Sequence, residues 1–330
     1  MRVVLQVLVT VLTSLSYLCV GLVRAWATTA VPSMTSREEE EEEGEEPLTE
    51  DMISWVVATP PIGAITGSLL SGLFLDKFGR RLSILLSGFL FLTAFLSLGL
   101  ARLATSSVMV RLVLVFRAVS GTAVGLAVPS VSIFIAETVS ARHRGTLSCL
   151  PALQHAAGIL LSYVAGAFLP WHLLSYLCCL PALLLLATVS LLPETPAHLA
   201  SRGRQESAVS SYVWYRSVSE ELARKEVQDL AAASKEPSDR PLSWLGELFS
   251  RSTLQPLTIT LILQAVQNFC GVNVIVFKTV HVFQTFQTSI DNYLATAVVG
   301  GVQLLATFSK NISDLDIGVL TLILFQCLSA

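Results

Sequence analysis

Four charged side chains stand together at the end of an apolar, glycine-rich stretch. The segment GSLLSGLFLDKFGRR is uncharged until its last six residues, which include Asp76, Lys77, Arg80 and Arg81. A carboxylate at such a place can neutralise the positive N-terminus of a neighbouring helix, and guanidinium groups can pair with acidic groups such as Glu137. We therefore expect an ion-pair cluster that holds helix ends together.

No catalytic constellation accompanies these charges. The sequence has no metal-ligand cluster, nucleotide loop or nucleophile elbow, and its six cysteines fall mostly in apolar segments without the spacing of a zinc site or a disulfide scaffold. The net charge of -3 indicates no nucleic-acid partner. We therefore predict that the protein is not an enzyme and binds no metal or cofactor.

The composition is typical of a membrane protein. Of the 330 residues, 53% are hydrophobic and 14% charged, and the mean hydropathy is +0.66. A helix needs roughly 20 apolar residues to cross a bilayer. The chain offers eight such segments: 3–26, 53–75, 82–102, 108–135, 146–169, 171–192, 254–278 and 292–310. The predicted fold class is an all-α integral membrane protein built from helical bundles.

The distribution of basic residues predicts the orientation. Lys and Arg concentrate in the connection at 76–81, in the connection after the fourth segment and in the long connection after the sixth, so these should face the cytoplasm together with the N-terminus. The first segment has two interpretations, because Ala25-Trp26-Ala27 resembles a signal cleavage site. A retained first helix is favoured by the length of the apolar run.

The order of the segments predicts two bundles. We expect an N-terminal six-helix bundle at 1–192 with an acidic extracellular loop at 31–50, a cytoplasmic linker at 193–252 and a partial second bundle at 253–310. Small residues recur at every fourth position on three segments, which favours close helix packing. They are Gly63, Gly67, Ser71, Gly121, Gly125, Gly158, Ser162 and Gly166.

Several motifs resemble signatures of one family. GLFLDKFGRR, Gly72 to Arg81, is similar to the GxxxDxxGRR signature of the major facilitator superfamily, and the stretch from Arg117 to Gly145 is similar to the RxxxG...ExxxxxxRG signature of its sugar porters. LLPETP resembles the family's PESPR-type end of helix six, and QNFCGVN resembles its QQxSGxN motif on helix seven. GTLSCLPALQHAAGILLSYVAG and TAVVGGVQLLATF are most similar to arthropod facilitated trehalose transporters.

The resemblance implies a facilitative transporter of trehalose or a hexose in the plasma membrane, working by alternating access. Neutral amides suit such a ligand because they bond its hydroxyls without trapping it as a charge would. The family's glutamine on helix five is replaced by Ala152, and His155 lies about 60° away on the same helix. The implied sugar-binding side chains are Gln267, Asn268, Asn273, Gln303 and His155. Bonding between helices is the alternative role for these groups.

The resemblance also implies a gating network of charges. Its members are Asp76, Gly79, Arg80, Arg81, Arg117, Glu137 and Arg144. Ion pairs that break and re-form as the bundles rock can bias the outward-open and inward-open states. The alternative for the loop charges is a purely topological role, and for Arg117 it is snorkelling to the membrane surface.

The resemblance ends near Ser309, where the family continues into a second charged loop and four more helices. We therefore expect a chain truncated after helix eight, with a divergent tail at 311–330. A non-transporting half-transporter that regulates or binds a partner is the alternative function. The expected partners are a small-molecule sugar and the lipid bilayer, and the oligomeric state is left open.

Overall fold

The computed structural model describes residues 2–38, 49–235, 251–270 and 292–313, and every regular element among them is helical. The helices follow the apolar segments of the sequence. They are α1 (Arg2–Glu38), α2 (Glu50–Phe78), α3 (Arg80–Leu100), α4 (Ser106–Thr138), α5 (Ala141–Leu147), α6 (Leu150–Phe168), α7 (Trp171–Val189), α8 (Pro196–Ser201), α9 (Gln205–Arg216), α10 (Glu220–Lys235), α11 (Arg251–Phe269) and α12 (Asn292–Ser313).

Six spans in the described ranges are long and apolar enough to cross a bilayer. They are Val4–Met34, Asp51–Phe78, Arg80–Leu103, Val108–Thr138, Ala141–Phe168 and Trp171–Val189. These spans correspond to the first six predicted segments. The two remaining crossings stay predictions. Residues 271–278 of the seventh segment lie outside the described residues, and the apolar part of the eighth, Val298–Phe308, is shorter than the six spans.

Small residues bring the helix backbones into contact, as the sequence predicts. A Cβ added at Gly67 on α2 would lie 2.1 Å from the carbonyl oxygen of Thr122 on α4, and one at Gly158 on α6 would lie 2.2 Å from that of Leu18 on α1. No side chain larger than hydrogen fits such a gap. The helix pairs α2/α4 and α1/α6 are therefore packed backbone to backbone.

The first helix is longer than predicted. It continues without interruption from Arg2 to Glu38, so residues 31–38, which the sequence assigned to the acidic loop, are helical. The residues that resemble a cleavage site lie inside this helix and are buried. There the indole Nε1 of Trp26 donates a hydrogen bond to Ser175 Oγ of α7 at 2.9 Å, which ties the middle of α1 to α7.

The polar connection after α7 contains folded helices. Helices α8, α9 and α10 pack on one another around a small apolar cluster of Ala200, Ala208, Val209, Tyr212, Ala223, Val227 and Ala231. The hydroxyl of Tyr215 on α9 donates to the carbonyl oxygen of Pro193 at 2.6 Å, which fixes this unit against the end of α7. The described part of the predicted linker, up to residue 235, is thus a helical unit.

Candidate functional site: a charge cluster and a bundle cavity

The charged motif forms the junction between two membrane helices. Helix α2 ends at Phe78 and α3 begins at Arg80, with only Gly79 between them. Gly79 has φ 94° and ψ 174°, a backbone conformation open almost only to glycine. The junction therefore places the carbonyl end of one helix beside the amide end of the next.

Glu194 caps the amide end of α3. Its Oε1 accepts hydrogen bonds from the backbone N–H groups of Arg80 at 3.0 Å and Arg81 at 3.1 Å, and from its neighbour Thr195 at 2.9 Å. A carboxylate at a helix N-terminus satisfies free amides and complements the helix dipole. The sequence analysis assigned no role to Glu194, although it quoted LLPETP, in which this glutamate is the only acidic side chain.

The predicted pair between Arg80 and Glu137 is present. Arg80 Nη2 lies 2.9 Å from Glu137 Oε1, and both side chains are more than four-fifths buried. The remaining guanidinium nitrogen, Nη1, donates to the carbonyl oxygen of Leu75 at 3.2 Å and lies 3.1 Å from His198 Nδ1. Arg80 therefore joins α2, α4 and α8. We call Arg80, Arg81, Glu137, Glu194 and His198 the helix-end cluster.

Asp76 does not perform the capping role that the sequence predicted for it. Its side chain is exposed, and no ion pair or side-chain hydrogen bond is found for it within the described residues. Only its backbone is engaged, since Arg202 Nη2 donates to the carbonyl oxygens of Asp76 at 2.8 Å and Lys77 at 2.7 Å. The capping of a neighbouring helix falls instead to Glu194.

Two further members of the predicted network behave differently from each other. Arg81 bonds the end of α7, where its Nε donates to the carbonyl oxygen of Val189 at 3.3 Å and its Nη2 donates to that of Ser190. Arg144 on α5 is exposed, and its side chain has no ion pair in the described ranges. Its assignment to the cluster is therefore not supported by its position.

His198 is the histidine of the helix-end cluster. It is 7% exposed. Burial lowers the pKa of its imidazole, and the charges of Arg80 and Arg202 act in the same direction, while Glu194 opposes them. The ring is therefore held neutral, which suits a nitrogen that accepts a hydrogen bond from Arg80.

Arg117 lies inside the bundle, away from the helix-end cluster. It is 1% exposed. Pro60 lacks an N–H, so the carbonyl oxygen of Val56 loses its usual helical donor and accepts from Arg117 Nε at 3.2 Å. Arg117 Nη1 donates to Val23 at 2.8 Å, and the guanidinium lies 5.2 Å from the Trp26 ring centroid. Arg117 therefore faces the bundle and does not snorkel to the membrane surface, and it lies apart from the other members of the predicted network.

Two adjoining cavities lie along this face of the bundle. One, of about 450 Å³, is lined by Tyr17, Val20, Val128, Ser132, Ile135, Ser148, Pro151, Ala152 and His155. The other, of about 370 Å³, is lined by Val20, Val23, Arg24, Pro60, Pro61, Ala64, Arg117, Val124 and His155. Val20 and His155 border both, so α1, α2, α4 and α6 together line a space large enough for a small organic molecule.

The structure supports the predicted register of α6. Ala152, at the position of the family's glutamine, and His155 both line the first cavity. Gln154 instead turns towards α1, where its Nε2 donates to the carbonyl oxygen of Val11 at 2.8 Å. The hydroxyl of Tyr17, which the sequence analysis missed, lies 3.1 Å from Ser132 Oγ at the cavity wall.

The structure does not bring the predicted amides to these cavities. Asn268 is exposed on α11 and donates to the carbonyl oxygen of Gln264 at 2.8 Å, and Gln267 is half-buried. Gln303 is half-buried on α12, which packs on α6 where Gly300 approaches Tyr163. None of these three side chains lines either cavity. Asn273 lies outside the described residues.

Comparison with known proteins identifies the family. A sequence model described as "Sugar (and other) transporter" matches residues 16–313. The chain belongs to the sugar (and other) transporter family. This family member is 35% identical over 305 residues to the facilitated trehalose transporter Tret1-2 homolog of Drosophila simulans and, over the same length, to trehalose transporter 1 of Drosophila melanogaster.

Solved structures show the same fold for this transporter-family chain. It is similar to the major facilitator superfamily proton:xylose symporter XylE bound to 6-bromo-6-deoxy-D-glucose, with a TM-score of 0.79, 24% identity and coverage of 95% of this chain and 70% of that one. A partially occluded, inward-open XylE from E. coli gives a TM-score of 0.75 at 25% identity, with coverage of 96% of this chain and 74% of that one. The fold is therefore an all-α major facilitator bundle, as predicted.

The extent of these matches is unequal. The alignment covers 92% of this chain but 60% of the Drosophila simulans relative and 34% of the Drosophila melanogaster one.

The relatives and structural neighbours are transporters and not enzymes, which agrees with the sequence prediction. This family member is a multi-pass membrane protein.

Proposed function

We propose that this chain acts in facilitated sugar transport across the plasma membrane, carrying trehalose or a hexose by alternating access. The observation that carries the proposal is the cavity on the α1, α2, α4 and α6 face, in a chain of the sugar (and other) transporter family. Its relatives are named as facilitated trehalose transporters. The N-terminus and α8 to α10 face the cytoplasm in this proposal, following the basic residues.

The chemistry of the cavity supports sugar binding. Its wall combines apolar surface from Val20, Val128 and Ile135 with the hydroxyl groups of Tyr17 and Ser132. Apolar walls with a few placed hydroxyl and imidazole groups are typical of sites for small polar ligands. His155 can donate or accept a hydrogen bond from a sugar hydroxyl according to its tautomer.

The second bundle completes the site in this proposal. Gln267, Asn268, Asn273 and Gln303 supply neutral amides from the side opposite the cavity wall, so that the sugar is held between the two bundles near the midplane. The packing of α12 on α6 is favourable for this arrangement, because Gly300 lies against Tyr163 and Leu160 only one turn from Gln303.

The helix-end cluster acts as the cytoplasmic latch. Its pair between Arg80 and Glu137 is largely buried, so it is costly to break and favours the state in which it is closed. We propose that the closed cluster, with Asp76 exposed beside it, biases which side of the cavity is open.

Uptake by the purified full chain in liposomes tests the function. Radiolabelled trehalose and glucose should enter chain-containing vesicles faster than empty ones and should exchange with unlabelled sugar inside. Ala152→Gln restores an amide at the cavity wall and should strengthen sugar binding by about threefold or more, equivalent to a hydrogen bond of roughly 0.7 kcal/mol.

Ala152→Leu is the matched control, because it adds similar bulk without an amide. It should weaken or leave unchanged the binding of sugar. Binding without uptake would indicate a non-transporting sugar-binding protein, and the absence of both would contradict the proposed function.

A further inference from the structure

The connection between α8 and α9 carries two arginines ahead of an exposed serine. The segment reads RGRQES, so Arg202 and Arg204 stand five and three residues before Ser207. All three side chains are exposed. Protein kinases choose substrates by such charge patterns, because their acidic groups bind basic side chains at fixed distances from the target serine. The segment therefore has the pattern of a kinase recognition sequence.

The local structure leaves this segment accessible. Helix α8 ends at Ser201 and α9 begins at Gln205, so both arginines lie in the connection, where Gly203 has φ 74°. Ser207 lies in the first turn of α9. The backbone frays most readily at helix ends, so this turn can extend into the cleft of a kinase at small cost.

Ser207 differs from the other serines of α9. Ser211 is buried and donates to the carbonyl oxygen of Glu194 at 2.6 Å, and Ser210 donates to that of Glu206 at 3.0 Å. Neither has an arginine three or five residues before it. The hydroxyl of Ser207 has no hydrogen bond among the described residues. Modification of Ser207 therefore breaks no contact of its side chain.

The charges around Ser207 are favourable for a phosphate group. The adjacent carboxylate, Glu206, is already paired, because Arg224 Nη1 and Nη2 donate to its two oxygens at 2.9 Å and 3.2 Å. The side chain of Arg204 has no ion pair in the described part of the chain. A phosphate in the first turn of a helix also complements the helix dipole.

Arg202 connects this segment to the membrane helices. Its Nη2 donates to the carbonyl oxygens of Asp76 at 2.8 Å and Lys77 at 2.7 Å, at the end of α2. These acceptors are neutral, whereas a phosphate forms charge-assisted hydrogen bonds with a guanidinium, which are roughly twice as strong. A phosphate on Ser207 therefore competes with the end of α2 for Arg202.

We propose that Ser207 is phosphorylated by a protein kinase that recognises Arg202 and Arg204, and that the phosphate then withdraws Arg202 from the end of α2. Ser207 Oγ bonds the γ-phosphorus of ATP, the bond from that phosphorus to the bridging oxygen breaks, ADP leaves, and the hydroxyl proton passes to the kinase. The α2–α3 junction beside the helix-end cluster is thereby loosened. The inference rests on the proposed cytoplasmic placement of α8 to α10 and adds regulation to the proposed transport.

Phosphorylation of the purified full chain in detergent micelles tests the site. The probe is an arginine-directed serine kinase with radiolabelled ATP, and a synthetic peptide of residues 199–212 is the positive control. Mass spectrometry should locate the phosphate on Ser207. Ser207→Ala should abolish the label, and Arg204→Gln should lower its initial rate about tenfold, as expected for one lost charge-assisted hydrogen bond. Ser210→Ala is the matched control and should leave the rate unchanged.

Amide hydrogen exchange at residues 76–81 tests the effect on α2. Exchange should be about threefold faster or more in the phosphorylated chain, because the end of α2 loses its contact with Arg202. Arg202→Gln without phosphate should produce the same increase. Arg204→Gln without phosphate is the matched control and should not, because Arg204 makes no hydrogen bond to α2 in the described ranges.

Three outcomes would overturn the inference. Labelling of the peptide but not of the folded chain would show that Ser207 is inaccessible. Phosphate on Ser207 with unchanged exchange at 76–81 would show that Arg202 is not withdrawn. Labelling of intact cells by kinase and ATP added outside would contradict the cytoplasmic placement. Absence of sugar uptake by a chain that passes these tests would overturn the proposed function alone.

Discussion

The bundle holds its arginines in two different ways. In the helix-end cluster, Arg80 is paired with Glu137 and stands beside a second carboxylate, Glu194. Arg117 is more deeply buried, and its guanidinium bonds two backbone carbonyl oxygens and faces the ring of Trp26. In the first arrangement a carboxylate balances the guanidinium and joins helices, whereas in the second only backbone oxygens and an aromatic ring contact it.

The two regions also differ in what the backbone contributes. At the cluster, charged side chains satisfy the backbone groups at both helix ends. Glu194 accepts hydrogen bonds from the amides of α3, and Arg80 and Arg202 donate to carbonyl oxygens of α2. At Arg117, a proline within α2 creates the free carbonyl. The cluster therefore satisfies backbone groups at helix termini, whereas Arg117 satisfies a carbonyl oxygen that a proline leaves free inside a helix.

Substitution of Gly79 should produce the largest effect on the cluster. Gly79→Ala forces a side chain into φ 94°, and its Cβ would lie 2.5 Å from Glu194 Oε2. We expect a loss of about 3 kcal/mol in the free energy of unfolding, from backbone strain and a displaced cap. Denaturant titration of the purified chain in detergent micelles measures it.

Gly72→Ala is the matched control, seven residues earlier in the same motif. It lies within α2, and a Cβ there meets no atom within 4 Å in the described part of the chain. Helix propensity favours this change by up to about 1 kcal/mol. Equal destabilisation by the two substitutions would show that neither the backbone conformation at Gly79 nor its contact with Glu194 requires glycine there.

The contrast between the arginines can be measured directly with one pair of substitutions. Arg80→Met leaves Glu137 without its partner, so it should cost about 3 kcal/mol of unfolding free energy. Arg117→Met loses two hydrogen bonds but also removes a desolvated charge, so it should cost about 1 kcal/mol or less. Both variants have similar volume, and the same denaturant titration compares them.

A larger loss for Arg117→Met than for Arg80→Met would reverse the comparison. It would mean that Arg117 serves mainly as a structural tie between α1, α2 and α4.

The sequence predicted the helices and the ion pair because both depend on local pattern. Long apolar runs predict spans, and charges at their ends predict pairing such as that of Arg80 with Glu137. The sequence assigned the cap to Asp76 because Asp76 is close to the helix end in the chain, and spacing cannot show that a distant carboxylate lies closer in space. Glu194 is 114 residues from Arg80, whose backbone N–H donates to it, and the packing of α3 against α7 brings the two together.

The cavity was harder to foresee for the same reason. His155 and Ala152 could be assigned to it from helical geometry, whereas Arg24 and Tyr17 gave no signal, since each stands alone in an apolar segment. Arg117 was recognised by its motif, but its backbone partners could not be predicted from that motif. Its role depends on a carbonyl oxygen freed by Pro60, 57 positions earlier in the chain, and no local pattern connects the two.

The smallest expected effect concerns the pH dependence of the helix-end cluster. Burial lowers the pKa of His198 in the folded chain, while in the unfolded chain it is about 6.5. As the pH falls through the unfolded value, the unfolded state takes up the proton first, so the cluster loses stability until the pH reaches the folded pKa. His198→Gln should remove this part of the pH dependence.

Thermal unfolding in detergent between about pH 5 and pH 8 measures the effect. His143→Gln on α5 is the matched control and should keep the dependence, because His143 lies outside the cluster. The imidazole Nδ1 faces a guanidinium, so protonation would set two cations against each other. If the wild-type chain and His198→Gln lose stability equally below about pH 6.5, His198 is not the group responsible for the pH dependence.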